Sequence, residues 1–317
     1  MHPHPTHRVV AVMAVFGPTA SGKTAVAEAL ADRIPSTLIS ADAMQVYRGV
    51  PILTNQSERP TELVGIWDLE HEASVGEYAR LAHAAIDAAL AAGVTPIVVG
   101  GTGLYLRAAL VELELPPAPD LGARKRWEQE YDDLGPEAAH ELLAERDPEA
   151  AARLHPNDRR RIVRALELAA AGASLAPRTD RLWTPQTRHP TLVFGLDVPK
   201  EELDRRIDER TRSMFERGAA EEADRAFAGP ISSTARAIHG LEEAAQLPEE
   251  EAIETLIRDT RRYAAYQRKW VRRIPGLVSL PADRPPGEVA DAILEMARAR
   301  QRLPAGPAGR PRRAADA

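Results

Sequence analysis

Apolar residues in this chain fall either in short unbroken runs or in stripes with helical spacing. Val9 to Phe16 (VVAVMAVF) is continuous and rich in β-branched residues, the pattern of a buried strand. Thr37 to Ser40 (TLIS), Pro96 to Val99 (PIVV) and Thr191 to Val198 (TLVFGLDV) repeat it. Ala25 to Ile34 has the spacing of a helix. After Leu115 the sheet pattern stops at a stiff linker, Pro116-Pro117-Ala118-Pro119. From there to Pro190 the pattern is helical, over Leu121–Leu134, Pro136–Glu145, Pro148–Leu154 and Asn157–Ala171. The pattern predicts an α/β core over 8–115 and 191–281, with a helical subdomain inserted at 116–190. Glu201 to Gly218 is a charged amphipathic helix. Leu256, Tyr263 and Trp270 recur every seven residues and are expected to face the core. Arg262, Tyr266, Lys269 and Arg273 fall on another face. One more helix is expected at Pro286 to Gln301. The Pro/Gly/Ala-rich stretch 303–317 reads as a disordered tail.

Composition narrows the class. A chain of 317 residues with 44% hydrophobic and 28% charged positions is ordinary for a soluble globular protein. It has no cysteine, which excludes disulfides, thiolate nucleophiles and cysteine metal sites, and fits a cytoplasmic protein. The opening apolar run of eight residues is too short to span a bilayer, so no membrane association is expected. The net charge of −6 means that a nucleic-acid partner must use local basic patches.

Those patches sit beside a phosphate-binding signature. Gly17-Pro18-Thr19-Ala20-Ser21-Gly22-Lys23-Thr24 matches G-x-x-x-x-G-K-[ST] between a strand and a helix. The glycines let backbone N–H groups turn toward a phosphate, and the helix N-terminus adds positive potential. Lys23 supplies a point charge, and Thr24 can ligate Mg²⁺. Such loops usually work with an Asp at the end of a second apolar strand. Here PIVV runs instead into Gly100-Gly101-Thr102-Gly103, which argues against an ordinary ATPase.

Asp42 follows the TLIS strand and belongs at the same rim as the loop. It could serve as general base, hold metal-bound water, or cap a helix. Gln45 adds an amide that could read a base edge. Small residues at 100–103 admit something bulky or pack a helix closely. Arg159, Arg160, Arg161 and Arg164 suit phosphodiester contacts or a solvated face, while Ile162, Val163 and Leu166 form an apolar stripe. Arg210 could reach a bound phosphate or pair within its helix. Arg258 to Arg273 carries seven basic residues and one acid, which suits an RNA backbone.

GPTASGKT, DAMQVY, PIVVGGTGLYL, HPNDRRRIVRALE and TRRYAAYQRKW occur in that order, and over Val9 to Pro275 the chain resembles the tRNA dimethylallyltransferases. The resemblance implies a P-loop NTPase-like parallel sheet core with an inserted helical tRNA-binding subdomain. It implies dimethylallyl transfer from dimethylallyl diphosphate to N6 of the adenine 3′ of the anticodon, in tRNAs that read U-initial codons. Asp42 is then the catalytic carboxylate, with Thr102 near the reacting centre. Gly17, Thr19, Ala20, Ser21, Gly22, Lys23, Thr24 and Arg210 surround the diphosphate, with Mg²⁺ on Thr24. Asp42, Ala43, Met44, Gln45, Arg124, Arg160, Arg161, Ile162, Val163, Arg164, Arg261, Arg262 and Gln267 match tRNA-contacting positions. The implied partners are a tRNA anticodon stem-loop and dimethylallyl diphosphate, and the protein is expected to be a monomer. The chain departs from the family pattern at Ala43, at Ala237 to Glu242 (AIHGLE), at Ala265-Tyr266 and at Tyr47 to Ser57. A nucleoside kinase or an inactive RNA-binding protein are the competing readings.

Overall fold

The computed structural model describes residues 12–117, 120–176 and 181–302. Val9 to Ala11 of the expected first strand and the 303–317 tail lie outside them. Five parallel strands form one sheet: β1 (Val12–Phe16), β2 (Ser36–Ser40), β3 (Thr95–Gly100), β4 (Thr191–Asp197) and β5 (Val278–Pro281). Their order is β2-β3-β1-β4-β5. The edge strand β5 is an addition to the four runs expected from sequence.

Both sheet faces are covered, which is why the strands read as unbroken apolar runs. Val12, Ala14 and Phe16 enter one core with Ile39 and Val98. Met13 and Val15 enter the other with Leu38, Ile97 and Phe194. On the first face lie α2 (Val75–Ala91) and α3 (Gly103–Leu110); on the second lie α1 (Lys23–Ala31) and α13 (Pro286–Arg302). The strand order reverses at β1, so the carboxyl ends of β1 and β3 border the crevice where such sheets bind ligands.

Between β3 and β4 the chain forms α4 (Leu121–Leu134), α5 (Pro136–Arg146), α6 (Pro148–Ala151) and α7 (Arg159–Ala170). They have their own apolar cluster, with Tyr131, Leu143, Ile162, Val163 and Leu166 buried in it. A buried cation ties the returning chain to the sheet. Arg107 of α3 is 1% exposed and donates to the carbonyls of Leu182 (2.7 Å), Thr184 (2.7 Å) and Arg181 (3.2 Å). After β4 come α8 (Lys200–Glu216), α9 (Ala219–Phe227), α10 (Ser233–Arg236), α11 (Leu241–Gln246) and the long α12 (Glu249–Val271). No helix of the described residues is long and apolar enough to cross a membrane.

Candidate active site

The phosphate loop leaves β1 at Gly17, where a Cβ would meet Ser21 Oγ at 2.7 Å and Leu196 Cβ at 3.1 Å. Ala20 (φ +61°) and Gly22 (φ +85°) are left-handed, which bends the backbone into a cradle. Holding a non-glycine residue at such a φ costs energy and persists only where neighbouring contacts enforce it. Gly22 caps α1, so the positive end of that helix faces the cradle.

Lys23 and Ser21 of the loop and Arg210 of α8 bring three polar or cationic groups to the cradle. Lys23 Nζ donates to the Pro18 carbonyl at 2.7 Å. Burial lowers the Lys23 pKa to about 8; Asp42 opposes that shift and Arg210 adds to it. Arg210 of α8 donates to Thr19 Oγ1 at 2.6 Å, while its Nε is buried without a partner. Its pKa is lowered by burial, again opposed by Asp42. The Ser21 hydroxyl is buried and unpartnered as well. Orphaned donors converging on a loop are what a bound anion would satisfy.

Asp42 stands just past β2. One carboxylate oxygen accepts the Met44 N–H at 3.0 Å. Its charge is felt at Lys23, Arg210, Tyr78, Tyr105, Tyr263 and His239. Turn-capping and facing the site are therefore both properties of this one carboxylate. Thr102 Oγ1 accepts the Ala43 N–H at 3.3 Å, joining the β2 and β3 ends.

The bulky object admitted by the GGTG turn is α12. A Cβ on Gly101 would meet Gln267 Nε2 at 2.5 Å, and one on Gly103 would meet the Trp270 ring at 2.1 Å. Gln267 is 2% exposed. Its Oε1 accepts the Thr19 N–H at 2.7 Å and its Nε2 donates to the Gly101 carbonyl at 2.8 Å. This corrects its expected place on an RNA surface: the amide lies between two turns of the site. Tyr263, one turn earlier, is half-buried beside Thr102 and Gln267, and has a pKa pushed up to about 12 by burial. The His239 ring packs on it at 4.5 Å, and burial lowers the His239 pKa. Of the stripe expected in the core, only Leu256 is fully buried; Tyr263 and Trp270 line the site turn.

Other expected contact residues separate by exposure. Ile162 and Val163 are 0% and 2% exposed within the insertion core, so their side chains are structural. Gln45 accepts from Ser40 Oγ at 2.9 Å and donates to the Thr54 and Asn55 carbonyls, which occupies the amide expected to read a base edge. Arg164 pairs with the buried Glu167 at 2.7 Å and donates to the Pro117 carbonyl. Arg124 pairs with Glu128 at 3.1 Å. Arg160, Arg161, Arg261 and Arg262 are exposed. Arg160 makes no ion pair among the described residues, and its charge reaches Tyr105 beside the site. Met44 and Ala43 are half-buried at the rim.

Sequence reading missed His239, Tyr263 and Glu222. Glu222 of α9 is 1% exposed and accepts the N–H groups of Ile52 (2.9 Å) and Leu53 (2.8 Å). It fixes the divergent 50–57 loop, and no spacing in the sequence announces that contact.

A phosphate cradle on a parallel sheet, with one carboxylate facing its cations and a glycine turn in place of a strand-end Asp, defines a phosphate-loop group transferase. The family model for IPP transferase matches residues 45–274, and that for isopentenyl transferase matches 10–64. The chain belongs to the IPP transferase family. It is 41% identical over 294 residues to the tRNA dimethylallyltransferase of Thermobifida fusca, covering 86% of this chain and 91% of that one. The Streptomyces coelicolor tRNA dimethylallyltransferase is 41% identical over 277 residues, with coverages of 83% and 88%. The solved full-length tRNA isopentenylpyrophosphate transferase of Bacillus halodurans superposes with TM-score 0.67 at 30% identity, covering 92% and 97%. A eukaryotic dimethylallyltransferase shares the fold at TM-score 0.72 and 24% identity, over 92% of this chain and 80% of that one.

Proposed function

We propose that this protein transfers the dimethylallyl group of dimethylallyl diphosphate to N6 of the adenine 3′ of the anticodon, in tRNAs that read U-initial codons. The observation that carries this reading is the convergence of Lys23, Arg210 and Asp42 on one loop. Two cations receive the diphosphate, and one carboxylate faces the entering nucleophile.

The allylic C–O bond breaks and the diphosphate leaves with its electron pair. Loop N–H groups, Lys23 and Arg210 stabilise that charge as it develops. The adenine N6 lone pair forms the new C–N bond, and Asp42 takes the N6 proton. Thr102 and Tyr263 hold the wall beside it. The base must leave the anticodon stack to reach a site this deep. Water must be kept from the donor during transfer, because it would otherwise capture the allylic cation.

Among the described residues no cluster of three His, Cys, Asp or Glu side chains could hold a metal unaided. The Thr24 hydroxyl beside a diphosphate is a hard-oxygen set that fits Mg²⁺, which keeps most of its waters. Magnesium there would neutralise leaving-group charge. Loop, carboxylate and α12 all come from this one chain, and action as a monomer in the cytoplasm is part of the same proposal.

The test is mass spectrometry of tRNA nucleosides after incubation with protein, Mg²⁺ and dimethylallyl diphosphate. Isopentenyladenosine is the expected product. ATP consumption with no modified nucleoside would establish a kinase instead.

A further inference from the structure

α12 has two faces with different partners. Arg261, Arg262 and Tyr266 are exposed on its outer side, and Arg258, Lys269 and Arg273 add to that basic surface. On the inner side Gln267 is the one buried amide, and both of its ends are engaged with the site. One end holds Thr19, whose hydroxyl accepts from Arg210. The next residue of the loop is Ala20, in the left-handed conformation. The other end holds Gly101, next to Thr102. A single side chain thus sets the spacing between the donor loop and the acceptor turn, and it rides on the helix that displays the basic surface.

We infer that Gln267 is a positioning residue that couples RNA docking on α12 to the conformation of the phosphate loop, an inference that rests on the tRNA-directed reading above. RNA drawn onto the outer face fixes α12. Fixed α12 holds the Thr19 N–H and keeps the strained turn at Ala20 open for a diphosphate. A ligand that rigidifies one partner lowers the ordering cost of the next, and the linkage is reciprocal. Packing alone would not give this pattern: a buried residue with only a structural duty changes stability and leaves the two affinities independent.

Inorganic diphosphate is the probe, titrated calorimetrically into the full-length protein with and without a saturating anticodon stem-loop. In the wild type the RNA should tighten diphosphate binding by about 5-fold or more, the usual lower bound of a real coupling. Gln267→Met keeps length and burial and removes both hydrogen bonds. It should weaken diphosphate binding by about 10- to 30-fold, through the loss of both hydrogen bonds, and abolish the RNA effect while stem-loop affinity holds. Gln267→Glu keeps the acceptor for Thr19 and removes the donor to Gly101, so it should retain part of the coupling. An equal RNA effect in wild type and Met variant, or none in the wild type, overturns the inference. Should the Met variant fail to fold, hydrogen exchange of residues 17–24 in the wild type decides. Slower exchange on adding the stem-loop supports the coupling, and unchanged exchange overturns it. Failure of the functional reading alone looks different: RNA and diphosphate would still couple through Gln267, but no dimethylallyl group would reach the tRNA.

Discussion

Arg210 donates from Nη2 to Thr19 Oγ1 at 2.6 Å, while its own Nε stays buried with no acceptor. The guanidinium is anchored at one corner and unsatisfied at another, pointing to an anion that arrives with the donor. Arg210→Ala should lower turnover by about 10²–10³, as loss of one charge-stabilising donor does. Arg210→Lys should restore only part of it, because an ammonium cannot hold Thr19 and the diphosphate with one fork. Steady-state kinetics checks both, with tRNA affinity unchanged.

Lys23 gives the donor site a pH dependence. Its pKa of about 8 in the free protein leaves it half neutral there. A diphosphate favours the ammonium and raises that pKa, so binding near pH 8 should take up a proton. Affinity should be full below pH 8 and weaken above it, by up to about tenfold per unit. Calorimetry in buffers of different ionisation enthalpy measures the uptake, and Lys23→Met should remove its share. For folding the sign is opposite. The unfolded chain keeps this proton up to its ordinary value of 10.5, so this group makes the free protein more stable as pH rises from about 8.

Asp42→Asn separates the two duties of that side chain. The Asn oxygen can still accept the Met44 N–H, so the turn should survive. The proton acceptor is lost, and single-turnover rates should fall by about 10²–10⁴. A loss under about tenfold with the fold intact would leave only the capping role.

The insertion arginines divide by environment. Arg160→Ala with Arg161→Ala should weaken tRNA binding and reduce its log–log salt slope by roughly 0.7–0.9 per lost phosphate contact. Arg164→Ala should instead act on the fold. It removes the counter-charge of Glu167, 5% exposed, leaving Oε1 only the Asp120 N–H and Oε2 without a partner. Breaking such a pair costs about 3 kcal/mol or more. Thermal unfolding and a salt titration of tRNA affinity, run on both variants, separate the two effects.

What was legible in the sequence was local. The phosphate loop declares itself because its strand, glycines, lysine and helix are contiguous, and the structure keeps them together. The four apolar runs became β1 to β4 for the same reason. β5 escaped because its sequence, VSLP, is interrupted by Ser279 and closed by Pro281 and is no continuous apolar run. The apolar stripe correctly marked Ile162 and Val163 as interior, and position in a family motif pulled them toward the RNA. Gln267 and Glu222 were hidden for a different reason: their partners lie far away in the chain, and only the folded backbone brings them together.

The turn after β3 has a consequence for how the chain can vary. Gly103 and Trp270 share one volume: the indole lies where a Cβ would be. Neither position can drift alone. Alanine at 103 requires the ring to vacate its place, and a smaller residue at 270 leaves a hole that only a larger residue at 103 could fill. The glycines of GGTG are thus half of a sentence whose other half is written on α12, and the two halves must be edited together.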